Sequence, residues 1–149
     1  MPSTLSNLLY HIVYSTKYRE PLITTFRKDL YRFICSNIIH EGGRILAING
    51  VDDHIHIAAR LLPRHSISEI LKLIKGSSSR WVNEQGKCVS HFSWQIGFSA
   101  FTISKSKLDS VIRYINSQEV HHNKKSFKQE IIELLDVHEI EYDERYLWD

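Results

Sequence analysis

Between His54 and Leu62 the chain changes chemistry one residue at a time, and this alternation limits what it can build. In an extended strand, successive side chains point to opposite faces. Ile55, Ile57, Ala59 and Leu61 then share one face, apolar enough to pack on helices. His54, His56, Ala58 and Arg60 share the other, which carries the polar groups. The segment reads as one strand of a sheet that is packed on one side and chemically equipped on the other.

The neighbouring patterns supply the rest of such a sheet. Leu5–Ser15, rich in Leu, Ile, Val and Tyr, predicts a strand. Thr24 or Thr25 caps a helix running to about His40, with Phe26, Leu30, Phe33, Ile34 and Ile38 as its apolar face, and Glu41-Gly42-Gly43 ends it. Arg44–Asn49 is a strand that Gly50-Val51-Asp52-Asp53 joins to His54–Leu62 as an antiparallel hairpin. Ser66-x-x-Glu69 is a capping box. It opens a helix with Ile67, Ile70, Leu71 and Ile74 at helical spacing, which runs into Gly76-Ser77-Ser78-Ser79-Arg80-Trp81 and resumes to Asn83. Glu84–Ser90 reads as a loop, and Phe92–Trp94 and Phe98–Ile103 as extended segments. Ser104 or Ser106 starts a helix whose buried stripe is Leu108, Val111, Ile112 and Ile115, and Ser126–His138 forms a last helix. The order β-α-β-β-α-β-α-α predicts an α+β fold, a ferredoxin-like (RRM-like) antiparallel sheet with flanking helices and a C-terminal helical extension. At 149 residues the chain is expected to form a single domain, 1–149.

Composition narrows the function classes. An apolar fraction of 42% and a charged fraction of 24% suit a globular protein, and the longest apolar runs are too short for a membrane span. No signal peptide is visible, so the expectation is a cytoplasmic protein without a membrane partner. Cys35 and Cys88 fit neither a zinc pattern nor a disulfide framework. The net charge of +2 hides an asymmetry: from Gln129 to Asp149 eight acids face one base, Arg145, a formal −7 that leaves +9 for residues 1–128. A basic body fits a polyanionic partner; an acidic tail folded onto a basic face accounts for the same numbers.

Two imidazoles on one strand face, one residue apart, can reach a single cation. Imidazole suits zinc or manganese, and a phosphate substrate with few protein ligands leaves room for magnesium or manganese. With nine histidines in the chain the triplet says little by itself, and two partly exposed histidines on an edge strand would look the same. Tyr114 and Gln118 supply the other half. Four residues apart on a helix, they lie about 40° apart and flank the apolar stripe, with His121 on the same flank. A glutamine carbonyl is a neutral third ligand, and three protein ligands leave positions for phosphate oxygens. A tyrosine, with a reference pKa of about 10, is a competent leaving group. A phosphotyrosine ester conserves the bond, so a free 3′ hydroxyl can reverse the step without ATP. Alone, Tyr114 would read as an ordinary helix-flank residue.

Together the two halves resemble the HUH superfamily of single-strand DNA nucleases. The closer likeness is to its single-tyrosine branch, the bacterial insertion-sequence transposases and their palindrome-associated relatives. Asp53-His54-Ile55-His56 looks like the family's D-H-x-H, and Leu71–Trp81 like its helix followed by a serine-rich turn. Trp94–Phe101 resembles the segment before the last strand, Tyr114-Ile115-x-x-Gln118-x-x-His121-His122 the tyrosine helix, and Glu141–Trp148 a recurrent ending. The resemblance implies a ferredoxin-like fold, with His54, His56 and Gln118 as ligands of a divalent metal, Mg2+ or Mn2+, and Tyr114 as the nucleophile. It implies an enzyme that cleaves and rejoins single-stranded DNA with hairpin ends through a 5′-phosphotyrosine. It also implies a homodimer in which one subunit's tyrosine helix can complete the other's site. Gly97-Phe98-Ser99 stands where the family is richer in glycine, and the absence of a long added tail favours the insertion-sequence enzymes over the palindrome-associated ones.

Basic residues offer the phosphate contacts such a partner needs: Arg60, Arg64, Lys72, Lys75 and Arg80 in one stretch, and Lys105, Lys107, Arg113, Lys124, Lys125 and Lys128 around the tyrosine helix. Of these, Arg60, Lys72, Lys75, Arg80, Lys105 and Arg113 are the candidate DNA contacts. Trp81, Trp94 and Phe98 either stack on unpaired bases or belong to the core, and Ser77–Ser79 either donate to phosphates or end a helix. The main alternative function is a domesticated hairpin-binding protein that cuts little or not at all. An RRM-like RNA-binding module would need aromatics along its central strands, and His54–Leu62 has none. Plasmid-replication and conjugative nickases share the H-x-H logic in larger, multidomain chains.

Overall fold

A computed structural model describes residues 3–122 and 125–147. Lys124 and Trp148 lie outside the described residues, as does the side chain of His121. Four antiparallel strands, β1 (Leu8–Ser15), β2 (Arg44–Val51), β3 (His54–Leu61) and β4 (Ser99–Thr102), form one sheet in the order β2-β3-β1-β4. With α1 (Arg27–His40) and α2 (Ile67–Glu84) in the connections, this is the ferredoxin-like α+β architecture that the sequence predicts.

The alternation along β3 assigns the two faces. Ile55, Ile57, Ala59 and Leu61 join Ile12 and Tyr14 of β1 in the main core, against Leu30, Ile34 and Ile38 of α1 and Ile70, Leu71 and Ile74 of α2. The opposite face is covered by α3 (Leu108–Asn116), α4 (Gln118–His122) and α5 (Phe127–Val137). Two smaller clusters seal it: Leu9, Ala47, Ala58, Leu108 and Ile115, and Val13, Phe101, Phe127, Ile131 and Leu135. The histidines are thus not on an exposed edge. β3 lies between β1 and β2, and both imidazoles are fully buried.

Several local expectations shift. β1 begins at Leu8, since Leu5 is exposed, and α1 begins at Arg27, with Phe26 in the capping position and no side-chain cap from Thr24 or Thr25. The β2–β3 connection shrinks to Asp52-Asp53, because Gly50 and Val51 pair with Ile55 and His54. A Cβ on Gly50 would lie 2.1 Å from the His54 carbonyl oxygen, so this close crossing requires glycine. The serine-rich turn does not exist as a turn: α2 runs unbroken through Ser77–Ser79, whose hydroxyls donate to carbonyls three residues back. Ser66 caps α2 through the Glu69 N–H. Trp94 is buried edge-on to Tyr14, its indole N–H donating to Ser78 Oγ at 2.9 Å, and Trp81 stacks on Phe33. Both tryptophans are therefore tied into the packing.

Candidate active site

The site is built on the buried polar face of β3. His54 and His56 point the same way, their ring centroids 5.2 Å apart. His54 Nδ1 donates to Asp53 Oδ1 at 2.7 Å, which leaves Nε2 as the nitrogen turned inward. His56 Nδ1 lies 2.8 Å from Nε2 of His11, a buried residue of β1.

The tyrosine comes from α3. Asn49, paired with His56 across β2 and β3, donates its amide to the Ile115 carbonyl at 3.0 Å and so fastens the end of α3 to the sheet. Tyr114, one residue earlier, stands edge-on to His56 with centroids 5.7 Å apart. Tyr114 and Gln118 do not share one continuous helix, as their spacing predicts. Ser117 leaves helical geometry (φ −106°, ψ 22°) and its hydroxyl donates back to the Arg113 carbonyl at 2.8 Å, a local bond that competes with the helix ladder. The chain re-enters a helix at Gln118, whose fully buried amide oxygen lies 3.4 Å from His54 Nε2 and 3.1 Å from His122 Nε2. The structure therefore brings His54, His56, Gln118 and Tyr114 together within one chain.

At the centre stands a residue that the sequence reading passed over. Glu130 is 2% exposed. Its Oε1 is 2.8 Å from His56 Nε2 and 3.4 Å from both His54 Nε2 and His122 Nε2, while its Oε2 accepts a hydrogen bond from the Tyr114 hydroxyl. A capping box between Ser126 and Gln129 starts α5. Phe127, Glu130, Ile131 and Leu135 form its buried stripe, and Phe127 stacks on His54 with centroids 3.8 Å apart. An acid on the apolar stripe of a helix is the signal that marks Glu130. The sequence predicts the helix, Ser126–His138, but its acids count there only toward the charge of the tail.

The cluster's electrostatics follow from burial and mutual bonding. Burial alone would raise the Glu130 carboxyl, but bonds from His122, His54 and His56 outweigh it and hold its pKa well below the usual carboxylate range. Burial pushes the His56 imidazole down to about 4, with Glu130 offsetting only part of the effect. Burial and the nearby His56 push His11 down to about 3. For His54 the bonds to Asp53 and Glu130 overcome burial and raise it. Burial, then Glu130, pushes the Tyr114 phenol well above its ordinary value, so it stands as a neutral donor. Ligand atoms of His54, His56, His122 and Glu130 all lie within 4.8 Å of one another, a set able to hold a metal ion. Inward-facing imidazole nitrogens, a carboxylate and an orienting Asp53 are the donor set such a centre needs, with a bound cation taking the place of the protons now shared with Glu130.

The basic candidates stand elsewhere. Lys72, Arg80, Lys105 and Arg113 are exposed, and Arg60 is half-buried, its Nε donating to Asn7 Oδ1 at 3.0 Å. Lys75 is buried, with its ammonium held by the carbonyls of Ile96 and Gly97 at 2.9 and 2.8 Å, so in this arrangement its donors serve the fold. Lys72 and Lys75 line a groove of about 490 Å³ between α2 and the segment containing Trp94 and Phe98. A second cavity, of about 560 Å³, is lined by Tyr114, His11, Phe101, Lys107 and His138.

The signature of the family described as "Transposase IS200 like" matches residues 4–118. The chain belongs to this transposase family. Over 117 residues it is 24% identical to the ISDra2 transposase TnpA of Deinococcus radiodurans, spanning 74% of this chain and 84% of that one. Over 116 residues it is 28% identical to the transposase for insertion sequence element IS200 of Salmonella typhimurium, spanning 72% and 76%. Its fold superposes on a candidate transposase from Deinococcus radiodurans R1 with a TM-score of 0.63, over 79% of this chain and 95% of that one at 21% identity. It also superposes on a REP-associated tyrosine transposase bound to a REP hairpin, with a TM-score of 0.61 over 82% and 72% at 18% identity. The family match ends at Gln118, so α5 and Glu130 lie beyond it. Among the described residues no helix is long and apolar enough to cross a membrane.

Proposed function

We propose that this transposase binds single-stranded DNA with hairpin ends and cleaves and rejoins it through Tyr114. The observation that carries the reading is the hydrogen bond from the Tyr114 hydroxyl to Glu130, the same carboxylate that meets the inward nitrogens of His54, His56 and His122. A nucleophile candidate and a metal-ligating set thus share one buried centre.

In the proposed step, Glu130 orients the Tyr114 hydroxyl through their hydrogen bond, Tyr114 Oη attacks the scissile phosphorus, and the phenol proton passes to solvent water. The phosphorus–O3′ bond breaks, the departing oxygen takes up a proton, and the 5′ phosphate stays on tyrosine. A 3′ hydroxyl from another strand reverses the chemistry and restores the phenol. Mg2+ or Mn2+ would be held by His54, His56 and Gln118, with His122 and Glu130 as further donors. When bound, the ion supplies polarisation of the phosphate and offsets charge on the leaving oxygen. Asp53 keeps His54 in the ligating tautomer, and Asn49 and Ser117 set where Tyr114 and Gln118 stand.

Hairpin ends as the substrate are supported by the fold shared with the REP-associated transposase solved with a REP hairpin. The exposed bases Lys72, Arg80, Lys105 and Arg113 are the proposed phosphate contacts, with half-buried Arg60 beside them. A homodimer suits an element with two ends, and in this reading each chain carries a whole centre, its own Tyr114 standing beside its own His56.

The test is incubation with labelled single-stranded hairpin ends and Mn2+, followed by denaturing electrophoresis. A covalent adduct is expected for the wild type and none for Tyr114→Phe. Tight hairpin binding without adduct for any end tested would favour the non-cleaving hairpin-binding alternative.

A further inference from the structure

The nitrogens that His54 and His56 turn away from the centre each have a partner, and the partners differ in kind. For His54 it is the Asp53 carboxylate, 2.7 Å from Nδ1. For His56 it is another imidazole, with His11 Nε2 lying 2.8 Å from His56 Nδ1. His11 is 4% exposed and sits on β1 opposite Ala58, diagonal to His56 across the β1–β3 pair. Its ring stacks on His56 at 5.1 Å and 28°, and stands edge-on to Tyr114 at 6.1 Å. His11 takes no part in the proposed cleavage step.

A neutral imidazole has one proton and one lone pair. If His56 gives its Nε2 lone pair to a cation, its proton must sit on Nδ1 and needs an acceptor in a buried setting. The group in place is His11 Nε2. A ring that accepts there carries its own proton on the other nitrogen.

We propose that His11 is a positioning residue for the metal centre, fixing the tautomer and ring plane of His56 as Asp53 does for His54. The proposal rests on the metal reading given above. It makes the two ligands unequal: one is backed by a carboxylate, the other by a neutral ring that orients without adding charge. Partners of this kind are typically worth about 10- to 100-fold in metal affinity.

The experiment compares Mn2+ binding by the wild type, His11→Phe and His11→Gln, alongside thermal unfolding of the metal-free proteins. Phenylalanine keeps the ring and its stacking but removes the lone pair; glutamine can bring an amide oxygen to the place of Nε2. Binding about 10- to 100-fold weaker for the phenylalanine variant is expected, with most of it recovered by glutamine. Equal Mn2+ affinity for the wild type and His11→Phe would overturn the inference and leave the metal reading standing. Equal weakness of both variants would also overturn it, by reducing His11 to packing. No Mn2+ binding by the wild type would instead sink the metal reading itself. Should the variants fold poorly, nitrogen-15 spectra of the wild type loaded with Zn2+ as a diamagnetic probe report the tautomer directly. A proton on His56 Nδ1 is expected, and one on Nε2 would overturn the proposal.

Discussion

The two faces of β3 are one residue out of phase and do opposite work. Ile55, Ile57, Ala59 and Leu61 enter a core shared with α1 and α2, where burial is the source of stability. His54 and His56 are just as buried, but under α3, α4 and α5 they meet a carboxylate, an amide, a phenol and other imidazoles. Burying these groups is costly, and each needs a partner to remain in place. The first face builds the scaffold; the second spends part of that stability on a centre whose groups have shifted proton affinities.

The polar face is most sensitive at Tyr114. Tyr114→Phe keeps the ring against His56 and removes one oxygen, so strand cleavage should fall by about 10³-fold or more while hairpin affinity stays within about threefold. Cleavage and gel-shift assays on the same DNA check this. On the scaffold face, Ile57→Ala should cost about 2–5 kcal/mol of stability by denaturant unfolding, with metal affinity per folded molecule unchanged. His56→Ala should do the reverse in kind, abolishing Mn2+ binding by calorimetry while the α1–α2 core stays folded by near-ultraviolet circular dichroism.

pH separates the faces more gently. His56 and His11 are held neutral in the fold, at about 4 and about 3 against an ordinary 6.5. Below 6.5 the unfolded chain takes up protons that the folded one refuses, so the unfolded state binds more of them and stability falls as pH drops. The metal-free protein should therefore lose thermal stability progressively from about pH 6.5 to about pH 3, and His11→Phe should flatten the lower part of that curve. The smallest effect belongs to the surface. Lys72→Ala should weaken hairpin binding severalfold at most and reduce the salt slope of log affinity by about 1, whatever the hairpin sequence.

How legible these features were in the sequence follows the same division. The scaffold was readable because apolar periodicity reports burial directly: the alternation in β3, the stripe of α1 and the β2–β3 hairpin each appear in the order of residues, although the hairpin's connection is two residues shorter than Gly50–Asp53. Half of the site was readable too, because His54 and His56 share that alternation. What the sequence hid depends on long-range placement. Glu130 sits among acids that look solvent-facing, and only the docking of α5 by Phe127, Ile131 and Leu135 turns it inward. His11 becomes a partner of His56 only through the β1–β3 register. The break at Ser117 arises from one hydroxyl bonding back to the Arg113 carbonyl, a choice that spacing does not encode. Lys75 looked like a phosphate ligand because charge is visible in a sequence and burial of its ammonium against Ile96 and Gly97 is not.

The central claim, that Tyr114 is the nucleophile of the buried histidine–carboxylate centre, is tested most directly by mapping the covalent product. The protein is reacted with a single-stranded hairpin end in Mn2+, digested with protease and nuclease, and sequenced by mass spectrometry. The account predicts a nucleotide attached through its 5′ phosphate to the peptide containing Tyr114, formed only when metal is present and absent in His56→Ala. An adduct on any other residue, or the same yield after metal is removed, would contradict it.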